Sequence, residues 1–72
     1  MLHAAALGYF REVARAGSIR KAAGALNVAA SALNRQILNL EAQLGTPLFD
    51  RLPGGMRLTV AGDLLLRHVS DT

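Results

Sequence analysis

Three polar residues near the middle of the chain have the types and spacing needed to recognise a flat, hydrogen-bonding surface. Asn34 and Arg35 follow Ser31 by three and four positions, so on a helix the three share one face. Arginine can donate two bonds to guanine, asparagine can pair bidentately with adenine, and serine can bond several base edges. The chemistry suggested is the reading of base edges.

Other kinds of chemistry find no support in the residues. The sequence has no cysteine, which excludes disulfides, thiolate metal sites and thiol catalysis. His3 and His68 are far apart, and no acidic residue frames them as metal ligands. There is no glycine-rich phosphate loop, no nucleophile with a base beside it and no pair of carboxylates within reach. We therefore expect no enzyme, no metal and no cofactor.

The size and charge of the chain narrow the choice of partner. It has 72 residues, with 8 Lys and Arg against 5 Asp and Glu, a net charge of +3, and a pI near 10.7. This length fits one domain with a thin core, and the basic balance favours an anionic partner such as nucleic acid. Aromatic residues make up only 4%, too few for a platform that stacks single strands. The short apolar runs and the absence of a signal peptide predict a cytoplasmic protein with no membrane partner.

Two short helices are predicted in the first part of the chain. A helix over about residues 4–16 would bury one face, because apolar residues recur there at helical spacing. A second helix runs to Leu26, with Ser18 as N-cap, and Asn27 supplies the sharp turn that follows it. The positions expected to be buried on these two helices are Leu7, Phe10, Val13, Ala14, Ala22, Ala23 and Leu26.

A third helix, from Ala29 or Ala30 to Leu44, would carry the polar residues described above. Its apolar stripe is the clearest in the sequence and comprises Leu33, Ile37, Leu40 and Leu44. Leu38 falls on the opposite, polar face, where it either packs on a neighbouring element or remains exposed. Glu41 could pair with an arginine. Gly45 ends this helix, and Pro47 prevents its continuation.

The remaining residues predict a hairpin and a last helix. Pro53-Gly54-Gly55 separates two short apolar runs, which is typical of a small hairpin or wing. Thr59 could cap the helix that follows. The expected fold is mainly α: a winged helix-turn-helix with a three-helix core, a short β-hairpin wing and a last helix.

The segment GSIRKAAGALNVAASALNRQILNLEAQLGTPLFDR, followed by LTVAG, resembles the N-terminal DNA-binding domain of LysR-type transcriptional regulators. The resemblance spans nearly the whole chain without a gap. It implies a DNA-binding domain over residues 1–58 and the start of a truncated linker (dimerisation) helix over residues 59–72. It also implies a longer whole protein, of which this chain is a fragment, with a small-molecule effector bound only in a domain absent here.

The resemblance also implies a role for individual residues on double-stranded DNA and in a homodimer joined through the linker helix. Base contacts fall on Ala30, Ser31, Asn34 and Arg35. Contacts to the DNA backbone fall on Ser18, Arg20, Lys21, Arg51 and Arg57, although an ion pair with a nearby acid is an alternative for Arg51. The dimerisation helix presents Ala61, Leu64, Leu65 and His68.

The sequence departs from the family pattern at several positions of the expected interface. Ala29 and Ala30 stand where Ser-Gln is usual, and the lost N-cap costs about 1 kcal/mol. Asn34 replaces a common serine, and the wing tip is Gly54-Gly55 where family members often carry arginine. Two alternatives therefore stay open: a winged helix that binds proteins, and the DNA-binding head of a related regulator such as the molybdate-responsive type.

Overall fold

Residues 4–70 form four helices and one two-stranded hairpin, in the order predicted. The computed structural model describes residues 4–70; His3 lies outside them. The elements are α1 (Ala4–Ala16), α2 (Ile19–Leu26), α3 (Ala30–Leu44), β1 (Phe49–Leu52), β2 (Gly55–Leu58) and α4 (Val60–Ser70). The first three helices pack on one another, and α4 lies against α1 and β2.

Local signals explain where these helices begin and end. The Ser18 side chain accepts a hydrogen bond from the Lys21 amide at 3.1 Å, which is the predicted N-cap. Asn27 adopts the left-handed conformation (φ 58°) in the turn between α2 and α3, and Gly45 does the same after α3. Thr59 caps α4 by accepting from the Gly62 amide at 3.0 Å.

The core is formed by one face of each of the first three helices and by the entry into the hairpin. Its buried residues are Phe10, Val13, Ala22, Ala23, Leu33, Ile37, Leu40, Leu48 and Phe49. The rings of Phe10 and Phe49 meet at 5.4 Å between centroids. Leu44 was predicted to be buried but is 39% exposed, because it occupies the last turn of α3, beyond the reach of the core. Leu7, Ala14 and Leu26 are only half-buried.

Close backbone contacts attach the hairpin to the helices. The strands are antiparallel, with Phe49 opposite Leu58 and Leu52 opposite Gly55. The Met56 amide donates to the Gly17 carbonyl oxygen at 2.9 Å. A Cβ atom on Gly55 would overlap that same oxygen, so the two chain segments meet this closely only because the residue is glycine.

Three further observations on residues 4–70 concern membrane spans, metal sites and pKa values. None of the helices there has the length and apolar character that a membrane span requires. No three acidic or histidine side chains are grouped closely enough to bind a metal ion. On α1, the hydrogen bond from the Arg15 guanidinium lowers the pKa of Glu12, and the same bond raises the pKa of Arg15.

Candidate nucleic-acid interface

The position of α3 is set by α2 and by the turn between them. Ala22 and Ala23 of α2 are buried, and such small side chains let the two helix backbones approach closely. The turn is closed by the Val28 amide, which donates to the Ala23 carbonyl oxygen at 3.0 Å. Leu33 and Ile37 are 1% and 0% exposed, so they bind α3 to the core by its apolar face. The opposite face is left towards solvent.

The four predicted base-contacting residues lie together on the N-terminal half of α3. Ala30, Ser31 and Arg35 are exposed, and Asn34 is half-buried. Leu38 continues the same face and is 47% exposed, which decides between the two environments that the sequence left open. The face therefore offers an arginine, an amide, a hydroxyl and small apolar groups, the set that base edges in a major groove can engage.

The first turn of α3 has no side-chain cap. Ala29 adopts the extended backbone of an N-cap residue (φ −69°, ψ 139°) but accepts no bond through its side chain. The backbone N–H groups of this turn therefore have no partner from the cap, and they form the positive end of the helix dipole. This end of the helix suits an anionic neighbour such as a phosphate.

The predicted backbone-contacting residues of α2 lie at its N-terminal end. Arg20 and Lys21 are exposed and make no ion pair with any residue in the 4–70 range. Ser18 is half-buried, and its oxygen is used to cap α2. Its hydroxyl hydrogen remains able to donate to a phosphate.

The wing carries two arginines with different partners. Arg57 lies 3.8 Å from Asp50 across the hairpin, and both are well exposed, so this ion pair contributes little to stability. Arg51 donates from Nη1 to the Asn34 side-chain oxygen at 2.7 Å. The acid partner considered for Arg51 is therefore wrong: its partner is an amide of α3, and the contact joins the wing to the polar face of that helix.

Glu41 performs a function that sequence reasoning missed. The expected arginine partner is wrong, because the carboxylate accepts the backbone amides of Leu48 and Phe49 at 2.7 and 3.2 Å. This pair of bonds fastens the start of the hairpin to the C-terminal half of α3. The only sequence signal was an acidic residue on a helix that soon ends in a glycine and a proline, and such a signal does not identify the amides.

The predicted dimerisation residues divide between two environments. Ala61 and Leu65 are half-buried and pack against the core of their own chain. Leu64 is 63% exposed and, one turn earlier, Val60 is 80% exposed. His68 is also exposed. The outer face of α4 thus carries apolar side chains that the rest of the described segment, residues 4–70, leaves uncovered.

Residues 4–63 match the family model for bacterial regulatory helix-turn-helix proteins of the lysR family. This chain belongs to the lysR family. Its exposed polar face on α3 and its hairpin wing are consequently the parts of a lysR-family winged helix, and the family members are transcription regulators.

Curated relatives of this lysR-family chain are transcriptional regulators. An uncharacterised regulator, y4mQ of Sinorhizobium fredii, is 46% identical over 66 residues, which is 92% of this chain but 22% of the relative. BudR of Klebsiella aerogenes is 47% identical over 57 residues, covering 79% of this chain and 40% of BudR. The chain thus spans less than half the length of either relative.

Solved structures share the architecture of this lysR-family chain. The DNA-binding domain of CbnR, in a complex with DNA, has a TM-score of 0.93 and 37% identity, covering 97% of this chain and 80% of that one. The DNA-binding domain of BenM, bound to benA site 1 DNA, has a TM-score of 0.92 and 33% identity, with 97% and 81% covered. The expected winged helix-turn-helix is therefore confirmed.

Proposed function

We propose that this chain binds double-stranded DNA in a sequence-specific manner, as the DNA-binding domain of a LysR-type transcription regulator, and has no catalytic activity. The observation that carries the proposal is the exposed polar face of α3, which the apolar core holds outwards between two basic elements. In this function Ala30, Ser31, Asn34 and Arg35 meet base edges in the major groove. Residues 1–58 form the DNA-binding domain.

The basic residues supply affinity that does not depend on base sequence. Arg20 and Lys21 at the start of α2 and Arg51 and Arg57 on the wing flank α3 and suit the two phosphate backbones, with Ser18 as a hydroxyl donor. Neutralising phosphates releases counterions, so affinity falls as salt rises. A regulator of this kind acts on the chromosome in the cytoplasm.

Fluorescence anisotropy of labelled duplex DNA at several salt concentrations tests this function. We expect Arg35→Ala to lower specific affinity by about 1–3 kcal/mol. The matched control is Arg11→Ala, which removes the same charge from an exposed position of α1 and should change affinity little. Binding that is insensitive to salt, or equal losses for both variants, would contradict the proposal and favour a protein-binding winged helix.

The outer face of α4 supports a homodimer. We infer that residues 59–72 begin a linker helix through which two protomers pair, with Leu64 and His68 facing the partner and Ala61 and Leu65 joining the helix to its own core. The two copies of α3, the recognition helix of each protomer, would then reach major grooves about 34 Å apart. A small-molecule effector would bind a domain outside this chain.

Leu64→Glu should weaken self-association in sedimentation equilibrium. Unchanged association would refute the role of α4 in pairing the protomers.

A further inference from the structure

Asn34 and Arg51 are joined although one is on the recognition helix and the other on the wing. The 2.7 Å bond from Arg51 Nη1 to Asn34 Oδ1 spans 17 positions of the chain. Both residues are among those expected to meet DNA, but with different tasks, one on the bases and one on the backbone. The bond makes them a single hydrogen-bonded unit before DNA is present.

The chemistry of the two groups fixes the orientation of the Asn34 amide. A guanidinium has donors only, so the atom that faces it must be the carbonyl oxygen. The amide NH2 group of Asn34 then stays free, since it makes no hydrogen bond within residues 4–70. One lone pair of the oxygen is engaged by a charged donor, so the group of this side chain that has no partner at all within residues 4–70 is the NH2 donor.

This orientation bears on which base Asn34 can read. Bidentate pairing with adenine requires the amide oxygen to accept from N6 while the NH2 group donates to N7. A side chain that offers chiefly its NH2 group seeks an acceptor, and every purine presents the N7 acceptor in the major groove. The bond from the NH2 group to N7 is common to adenine and guanine, whereas a bond from adenine N6 would have to share the oxygen that Arg51 already occupies.

We propose that Arg51 is a positioning residue for Asn34: it holds the amide oxygen, so that the Asn34 NH2 group donates to purine N7. This inference rests on the proposed function and gives the wing arginine a part in specificity. Arg51 retains further N–H donors for a phosphate. A purely electrostatic contact would add affinity without sequence preference, and that difference separates the two roles.

The test begins with selection of preferred duplexes from a randomised pool by the intact chain, followed by measurement of base preference at each position. We expect Asn34→Ala to abolish a purine preference at one position, and Arg51→Ala to weaken the preference at that same position. Arg57→Ala is the matched control on the neighbouring strand, since Arg57 pairs with Asp50 and not with Asn34. It should lower affinity and the salt slope while all base preferences persist.

Modified bases then identify the atom that is read. Replacing the purine by its 7-deaza analogue should weaken binding about 2- to 12-fold, the loss expected for one neutral hydrogen bond. The same replacement should leave the affinity of Asn34→Ala unchanged. Unsubstituted purine, which keeps N7 but lacks the exocyclic amino group, should be tolerated. Circular dichroism of each variant verifies that it is folded.

The outcomes separate this inference from the proposed function. If the unaltered chain shows no salt-sensitive binding to any duplex, the DNA-binding function itself fails. If that chain binds with a sequence preference that Arg51→Ala leaves intact, or if the preference depends on the adenine amino group, DNA binding stands and the positioning role of Arg51 is overturned.

Discussion

Removal of the Glu41 carboxylate tests how the wing is held against the recognition helix. In Glu41→Ala the amides of Leu48 and Phe49 lose their acceptor, beside side chains that are 1% and 5% exposed. A hydrogen bond to a charged group contributes about 1.5–3 kcal/mol and a neutral one about 0.5–1.5 kcal/mol. The 2.7 Å bond should contribute as a bond to a charged group and the 3.2 Å bond only at the lower level. We therefore expect Glu41→Ala to lower the free energy of unfolding by about 2–4 kcal/mol.

Two further variants show how much of this loss comes from the charge of the carboxylate and how much any substitution on this helix would cause. Glu41→Gln keeps an oxygen acceptor in place, so it should lose only about 1–2 kcal/mol, the difference between charged and neutral bonds. Gln43→Ala is the control, because Gln43 is exposed on the same helix and a substitution there should stay within about 0.5 kcal/mol.

Urea and thermal denaturation, followed by circular dichroism, measure these differences. For a domain of this size each kcal/mol shifts Tm by about 4–8 °C. Because the bonds position the hairpin, Glu41→Ala should also weaken duplex binding at a temperature where the variant is folded. If Glu41→Ala is as stable as Gln43→Ala, the two amides do not depend on this carboxylate and the reasoning is refuted.

Other expectations concern stability. A Cβ atom on Gly62 would lie 2.9 Å from Leu58 Cδ2 and closer to the Leu48 oxygen, so Gly62→Ala should cost about 1–3 kcal/mol; Gly24→Ala, with open space around it, should gain about 0.5–1 kcal/mol. Ala29→Ser should add about 1 kcal/mol by capping α3. Urea denaturation measures the free energy of unfolding of all three variants, and a change of opposite sign contradicts the corresponding prediction. The pKa of Glu12 is lowered in the folded chain, so its ionised form should stabilise the fold above the ordinary glutamate pKa and lose this effect as the pH falls through the lowered pKa. Glu12→Gln should therefore be less stable than the unaltered chain at neutral pH and equally stable in acid.

Much of the fold was predictable because its signals are local. The Ser18 cap involves an amide three residues away, and the left-handed turn at Asn27 depends on the residue itself. The Pro-Gly-Gly stretch marked the hairpin in the same way. Helical periodicity then identified Leu33 and Ile37 as buried, and so indicated which side of α3 would be free for Ser31 and Arg35.

Periodicity did not indicate how far the core extends along a helix. Leu44 continues the apolar stripe of α3 but lies largely beyond the elements that pack against it. On α4, Leu64 and Leu65 are adjacent and equally apolar, yet only Leu65 packs on the core. Spacing defines which residues share a face, whereas the neighbours that cover the face come from other parts of the chain.

The sequence by itself determined the positions of the helices and the hairpin, and the polar character of one face of α3. Only the tertiary structure decided the partners of Glu41 and Arg51, and the close contact between Gly62 and the Leu48 carbonyl oxygen. Each of these contacts joins a helix or a strand to a separate segment of the chain. A donor and an acceptor so far apart in sequence meet only because the packed core brings their backbones together, and no local spacing encodes that meeting.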